Sequence, residues 1–322
     1  FGPLGAKGFA FLNMLQLIGW TSIMIYDAML ALQELAPLSP IIWTIAIGAL
    51  VILWLFIGLH NTGYIQAIVS VLLLGLTLYM GAHMISQWPS EASLLTSGNM
   101  SFIAALELSI AMPLSWLPLI SDYTRESKHP FSASLTSATV YTITSIVMYT
   151  LGLSAAIFGG GDSIITIMMN AGLGLAGLIV IIFSTVTTTF MDAYSAGVSS
   201  TTIYNGASSK GIAVIVTIVG TIAAILYPMD DITDFLYLIG SVFAPMIAIL
   251  LADYFINRQQ VQTLSAYLVR GLIWAVSVGL YHYMLHSEST IGATLPAFTM
   301  AFVVTTIVGF ISKTAHISTE IK

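Results

Sequence analysis

Ten apolar windows in this sequence are each long enough to cross the roughly 30 Å hydrocarbon core of a bilayer. They run over residues 8–32, 40–59, 62–82, 101–121, 132–158, 171–203, 210–227, 232–256, 265–285 and 292–312. Barrel strands would instead be short segments of alternating polarity. Only 7% of the 322 residues are charged, against about 25% in soluble domains. The sequence therefore predicts an all-α polytopic membrane protein with ten transmembrane helices.

The charged residues are sorted by side of the membrane in this ten-span topology. One side carries every lysine and arginine: Lys7, Arg125, Lys128, Lys210, Arg258, Arg270, Lys313 and Lys322. The charged residues of the opposite loops are all acidic: Glu34, Glu91, Asp162, Asp230, Asp231, Asp234 and Glu288. Positive charge marks the cytoplasmic side, so we expect both ends in the cytoplasm. With no linker or low-complexity tract, residues 1–322 are predicted to form one transmembrane domain.

Polar side chains share one face of the first span. Asn13, Gln16, Trp20 and Asp27 are spaced by 3, 4 and 7 residues, which places them on the same side of a helix. One interpretation is a site-lining face with an aromatic platform, strongest for Gln16 and Trp20. The other is hydrogen bonding between helices, with Asp27 near the outer interface.

The fourth span contains two prolines, Pro113 and Pro118, which enclose Ser115 and Trp116. Proline removes a helical hydrogen bond and clashes with the carbonyl four residues earlier. Broken helices form midplane binding sites in many transporters, and Glu107 adds an ionisable group in the same span. The sequence therefore favours a ligand site here, although a simple proline kink is the alternative.

The sixth span is unusually polar for a membrane helix. Its hydroxyl and carboxylate groups recur every three or four residues, at Thr185, Thr188, Asp192, Ser195 and Ser199. Hard oxygen ligands suit a small hard cation, and small residues also pack helices closely. Packing accounts for the serines, but it does not account for a carboxylate. The stretch 187–192 is therefore predicted to contact a cation or a substrate.

Four stretches of the sequence resemble the nucleobase–cation symporter family, most closely its bacterial hydroxymethylpyrimidine and cytosine transporter branch. They are LQLIGWTSIMI at 15–25, ELSIAMPLSWLPLISDYTR at 107–125, TTTFMDAYSAG at 187–197 and LADYFI at 251–256. The resemblance implies a twelve-helix, leucine-transporter-like fold with two inverted repeats of five helices. Residues 1–100 would hold helices 3–5, residues 101–256 helices 6–10, and residues 257–322 the two C-terminal helices. The first two helices would be missing.

The resemblance also implies roles for particular residues. Trp20 would stack on a planar nitrogen heterocycle, and Gln16 would hydrogen-bond the edge of that heterocycle. Ser115 and Trp116 would lie near the same ligand. Thr187 and Thr188 would form part of a sodium site. Glu107 and Asp192 would place carboxylates near the substrate.

We therefore expect secondary uptake of hydroxymethylpyrimidine, cytosine or a related nucleobase, coupled to sodium or protons, in the cell membrane of a prokaryote. No cofactor beyond a possible sodium ion, no catalysis and no nucleic-acid partner are expected. Lacking two helices, the chain alone is expected to be inactive. The alternatives are a symporter for amino acids or another solute, a membrane-embedded enzyme using Glu107 and Asp192, and a non-transporting scaffold.

Overall fold

The computed structural model describes residues 1–35, 37–57, 59–86, 100–124, 127–158, 168–169, 172–258, 263–287 and 289–320. Long helices dominate these ranges: α1 (Gly2–Leu35), α2 (Pro40–Ile57), α3 (Leu59–Ser86), α4 (Phe102–Thr124), α5 (Pro130–Phe158), α6 (Gly174–Ile203), α7 (Ser209–Leu226), α8 (Thr233–Leu251), α9 (Leu264–His286) and α10 (Thr294–Glu320). A π-helical turn, Ala252–Asn257, continues α8.

The ten predicted spans are confirmed, because ten helices in the described residues are long and apolar enough to cross a membrane. Many large apolar side chains on these helices are exposed, as Phe131 and Leu53 illustrate. In lipid such side chains need no protein cover, and helix packing depends instead on close contact between small residues. Several residues used for the topology prediction lie outside the described ranges: Glu91, Arg125, Asp162, Glu288 and Lys322.

One compact unit, called unit 1, combines Phe1–Gln16, Asn99–Leu119 and Asp231–Lys322. Its core is formed where α8, α9 and α10 pack against one another. The fully buried small residues Ala248 and Ala301 lie in this core, beside the aromatic rings of Trp274, Phe298 and Phe302. Ala297 is also fully buried and belongs to a neighbouring cluster with Tyr281 and Ala293. The indole of Trp274 donates a hydrogen bond to the Val242 carbonyl (2.9 Å).

The second compact unit, unit 2, combines Leu17–Gly98 and Ile120–Asp230. Here α6 packs against α7, α2 and α3, and α5 packs against α3. The core is apolar and includes Ile25, Ile47, Met80 and Leu178. Each unit draws residues from both predicted repeats, and the division of the chain into repeats stays a prediction.

The fourth span differs from its sequence-based prediction. We expected Pro113 and Pro118 to interrupt this helix, but α4 continues from Phe102 to Thr124 with both prolines inside it. The prediction of a discontinuous span is therefore wrong for these residues. Proline still removes a donor from the ladder, which frees the carbonyls of Ser109 and Leu114 from their usual partners.

Gly197 lies where α6 packs closely against α7. A Cβ atom built on Gly197 would lie 2.1 Å from the backbone oxygen of Ser209, and a backbone atom cannot rotate away. We expect Gly197→Ala to destabilise the protein by about 1–3 kcal/mol, the usual cost of overpacking. Gly75→Ala is the matched control, because nothing lies within 4 Å of its Cβ. Thermal unfolding in detergent tests this, and equal melting temperatures for the two variants would contradict it.

Candidate functional site

Gln16 on α1 binds the proline-containing helix directly. Its Nε2 donates to the Asn13 side chain (2.7 Å) and to the main-chain carbonyl of Ser115 (2.9 Å). Asn13, Gln16 and Ser115 are all buried. The Oε1 atom of Gln16 is also buried, and it has no hydrogen-bond partner among the described residues. A buried acceptor without a partner is costly, so this atom is suited to receive an N–H group of a ligand.

The two candidate stacking residues, Trp20 and Trp116, are each partly buried. Trp20 follows Gln16 by one helical turn on α1, and therefore shares its face. Trp116 follows Ser115 on α4. Indole rings offer an apolar face to planar ligands, and partial burial leaves ring surface for such a contact.

Glu107 on α4 contacts the start of α10. Its Oε1 accepts from the backbone N–H groups of Ala293 and Thr294 (3.1 Å each). Its Oε2 accepts from the Thr294 N–H (2.9 Å) and from the Thr294 hydroxyl. These are helix N-terminal donors that lack partners within their own helix. Sequence analysis did not predict this pairing.

A cavity of about 570 Å³ borders Glu107 within unit 1. Its lining is mainly apolar with a few hydroxyl groups: Met100, Ser101, Ile103, Ala104, Tyr237, Met284, Leu285, Ser289, Gly292 and Ala293. The carboxylate therefore forms part of a wall, with its oxygens turned to the residues that begin α10.

The two threonines predicted to bind sodium lie on α6 in unit 2. Thr187 is buried and Thr188 is exposed. Both hydroxyls donate to the same carbonyl, that of Ser184, at 3.0 and 2.9 Å respectively. With each proton engaged in this way, the lone pairs of the two oxygens remain as acceptors. The arrangement is compatible with an oxygen-binding cation.

Asp192 lies on α6, one turn after Thr188, and is 9% exposed. Among the described residues it has neither an ion pair nor a hydrogen bond. Carboxylates inside membrane spans are usually paired or functional. The described part of the chain also has no cluster of three acidic or histidine residues able to hold a metal.

The predicted site residues are divided between the two units. Unit 1 holds Gln16, Glu107, Ser115 and Trp116, whereas unit 2 holds Trp20, Thr187, Thr188 and Asp192. Within unit 1, Gln16 contacts Ser115 and its helical neighbour Asn13 directly. The DYTR segment at the end of α4 is incomplete here, because Arg125 lies outside the described residues.

An ion pair near the end of α8 was missed by sequence analysis. Arg270 donates from Nε and Nη2 to the two carboxylate oxygens of Asp253, at 3.0 Å each. Asn257 adds a bond from Nδ2 to Asp253 (3.0 Å) and another to the Thr305 carbonyl (3.1 Å). Arg270, counted above with the basic residues of the cytoplasmic side, lies buried inside α9. A basic residue within an apolar span was the available signal.

Comparison with solved structures identifies the fold. The chain matches the structure of Mhp1, a nucleobase-cation-symport-1 family transporter, solved in a closed conformation with bromovinylhydantoin bound. The TM-score is 0.73 at 15% sequence identity, and the match covers 95% of this chain and 76% of that one. The helices therefore have the leucine-transporter-like fold.

The family follows from the sequence as a whole. The chain belongs to the family of permeases for cytosine/purines, uracil, thiamine and allantoin, whose model matches residues 7–321. It is also 25% identical over 185 residues to the cytosine permeases of Escherichia coli strains K12 and O157:H7. That match includes 56% of this chain and 44% of each permease, so it spans less than half the length of these relatives.

Proposed function

We propose that this protein takes part in secondary active uptake of a planar nitrogen heterocycle, such as hydroxymethylpyrimidine, cytosine or a related nucleobase. The observation that carries the proposal is the buried Oε1 of Gln16, which has no hydrogen-bond partner in the described part of the chain. Its amide nitrogen is already committed to Ser115 and Asn13, so Oε1 is available to an N–H group. Nucleobases and related heterocycles carry such groups on their edges. Membership of a permease family supports transport rather than catalysis.

The other substrate-binding candidates supply complementary chemistry. Trp20 and Trp116 offer ring faces on which a heterocycle can stack. Asp192 offers a carboxylate that accepts hydrogen bonds from ring or exocyclic N–H groups. The cytosine permeases and the hydantoin-bound Mhp1 structure support this ligand class by similarity. An amino-acid symporter would instead need a dedicated partner for the substrate carboxylate and ammonium groups.

Uptake would be driven by a cation that moves inward with the substrate. One charge crossing 100 mV supplies about 2.3 kcal/mol, which corresponds to a roughly fifty-fold accumulation. We place sodium beside the acceptor oxygens of Thr187 and Thr188, with protons as the alternative coupling ion. The distribution of Lys and Arg supports a cytoplasmic position for both ends of this chain. The similarity to bacterial cytosine permeases supports the cell membrane of a prokaryote.

Sodium binding predicts a specific mutational result. Replacing Thr187 and Thr188 together by valine removes both acceptor oxygens while keeping the branched shape of the side chains. We expect the sodium midpoint, the sodium concentration at which heterocycle binding is half-maximally enhanced, to rise at least about tenfold, since hard cations need oxygen ligands. Thr189→Val is the matched control, because the Thr189 hydroxyl donates to Thr185 in the same way (2.8 Å). Titrations of heterocycle binding against sodium measure both variants, and an unchanged sodium midpoint in the double variant would count against the site.

The proposed function is tested by ligand-induced thermal shift over a panel of heterocycles, with and without sodium. The panel includes cytosine, hydroxymethylpyrimidine, a purine and a hydantoin, together with an amino acid. The measurement is made on this chain and on a chain that also carries any upstream coding sequence. A ligand at 100 times its Kd stabilises a protein by about 2.7 kcal/mol. Stabilisation by the amino acid alone would overturn the proposal in favour of the other symporter class.

A further inference from the structure

We propose that Glu107 is a positioning residue that fastens α4 to α10, rather than a group that contacts substrate. The proposal rests on the function proposed above, because it assigns Glu107 to the support of the Gln16–Ser115 contact. The contact between Glu107 and the start of α10 is called the Glu107 clasp. It consists of Glu107, Ala293 and Thr294, together with Gly292, which precedes them.

The clasp uses both oxygens of the carboxylate. Two backbone N–H groups and one hydroxyl donate to them, and the Thr294 N–H is shared between both oxygens. Glu107 and Thr294 are each 6% exposed, and Ala293 is 1% exposed. A carboxylate is favoured at a helix N-terminus because the unpaired N–H groups there carry partial positive charge. Its acceptor capacity is therefore spent on the protein itself.

The turn before α10 is shaped to fit this carboxylate. Gly292 has a φ of +76°, a conformation that residues with a Cβ rarely adopt. A Cβ built on Gly292 would also lie 2.2 Å from Oε1 of Glu107. Two independent features, backbone conformation and available space, thus require glycine where the carboxylate sits. A carboxylate that was exposed for ligand binding would impose neither requirement on the turn.

The clasp acts on the candidate site through α4. Glu107 precedes Ser115 by eight residues, about 12 Å along a helix, and Pro113 lies between them. The proline weakens the helix at this point. The segment is tied at one end by the clasp and at the other by the bond from Gln16 to the Ser115 carbonyl. Fixing both ends keeps that carbonyl, and hence the orphan Oε1 of Gln16, in a single position.

The first test needs no ligand and exploits the absence of cysteine from the sequence. Ser115→Cys places a single thiol at a buried position on α4, and its labelling rate with a small maleimide reports exposure. We expect labelling to be at least about ten times faster when Glu107→Gln or Thr294→Val is added. Combining these two substitutions should give no further increase over Glu107→Gln alone, because the hydroxyl bond that Thr294→Val removes is part of the same contact. Gly279→Ala is the control, since no atom lies within 4 Å of its Cβ.

The second test separates positioning from substrate contact. Glu107→Gln and Thr294→Val should each weaken binding by a similar three- to tenfold for every heterocycle in the panel, with the rank order unchanged. A changed rank order in Glu107→Gln alone would mean that the carboxylate contacts substrate, and would overturn the proposal. Unchanged affinity with a lowered melting temperature would do the same, because the clasp would then be only structural.

The two proposals fail separately. If neither this chain nor the chain with any upstream coding sequence bound a heterocycle, the proposed function would fall, while the labelling rates would still decide whether the clasp holds α4. If Glu107→Gln does not fold, Thr294→Val removes one hydroxyl bond and leaves the carboxylate and backbone donors in place. Equal labelling rates for Ser115→Cys with and without Thr294→Val would then overturn the clasp.

Discussion

Replacing Trp20 by alanine is expected to lower the affinity for heterocycles by about ten- to a hundredfold. Stacking of a base on an aromatic side chain contributes about 1–3 kcal/mol as measured by alanine substitution, and 1.4 kcal/mol corresponds to tenfold. Trp20 lies one turn from Gln16 on α1 and is partly buried. The loss should therefore concern ring stacking, while the Gln16–Ser115 bond remains.

Two further variants make the Trp20 prediction specific. Trp20→Phe keeps an aromatic face and should recover most of the affinity, whereas Trp20→Leu keeps bulk without a π-face and should not. Trp274→Phe is the control for loss of an indole elsewhere, since Trp274 bonds the Val242 carbonyl within unit 1. Calorimetric titration with cytosine or another panel ligand gives the affinities. An affinity for Trp20→Ala within twofold of the parent would sink the stacking role.

Replacing Arg270 by methionine is expected to cost about 3–5 kcal/mol in the free energy of unfolding. The side chains of Arg270 and Asp253 are 5% and 13% exposed and form a two-pronged ion pair. Removing one partner of a buried pair leaves the other charge without compensation. Unfolding by denaturant in detergent micelles measures the loss.

The double variant Asp253→Asn with Arg270→Met should recover part of that loss, because no uncompensated charge remains. Arg258→Met is the matched control. Arg258 is exposed, and surface substitutions usually change stability by no more than about 0.5 kcal/mol. If Arg270→Met were as stable as Arg258→Met, the buried ion pair would have no measurable role in stability.

The sequence predicted the helices well because their signal is local. An apolar window of about 20 residues must be helical in lipid, whatever its neighbours are. Each predicted span therefore has a counterpart in the described helices, including the long α6. The family resemblance was confirmed by the match over residues 7–321.

The sequence did not predict the contacts that join distant residues. Glu107 meets Thr294 across 187 positions, and nothing near Glu107 in the chain signals that partner. The continuity of α4 was also missed, because proline is judged by its local cost while the surrounding helix can still tolerate it. The π-helical turn at Ala252–Asn257 also involves a distant contact, since Asn257 donates a hydrogen bond to the carbonyl of Thr305. Roles in substrate and sodium binding remain predictions.

The hydroxyls of Thr187 and Thr188 both donate hydrogen bonds to the Ser184 carbonyl. This arrangement affects which charged or polar groups can bind beside them. A hydroxyl whose proton is engaged presents only negative potential to its surroundings. A cation or an N–H group meets an attractive surface there without any rearrangement. A chloride ion or a carbonyl oxygen would first need a threonine O–H to turn away from the Ser184 carbonyl. The two threonines would thus favour cations and N–H groups over anions, whatever the size or shape of the ligand.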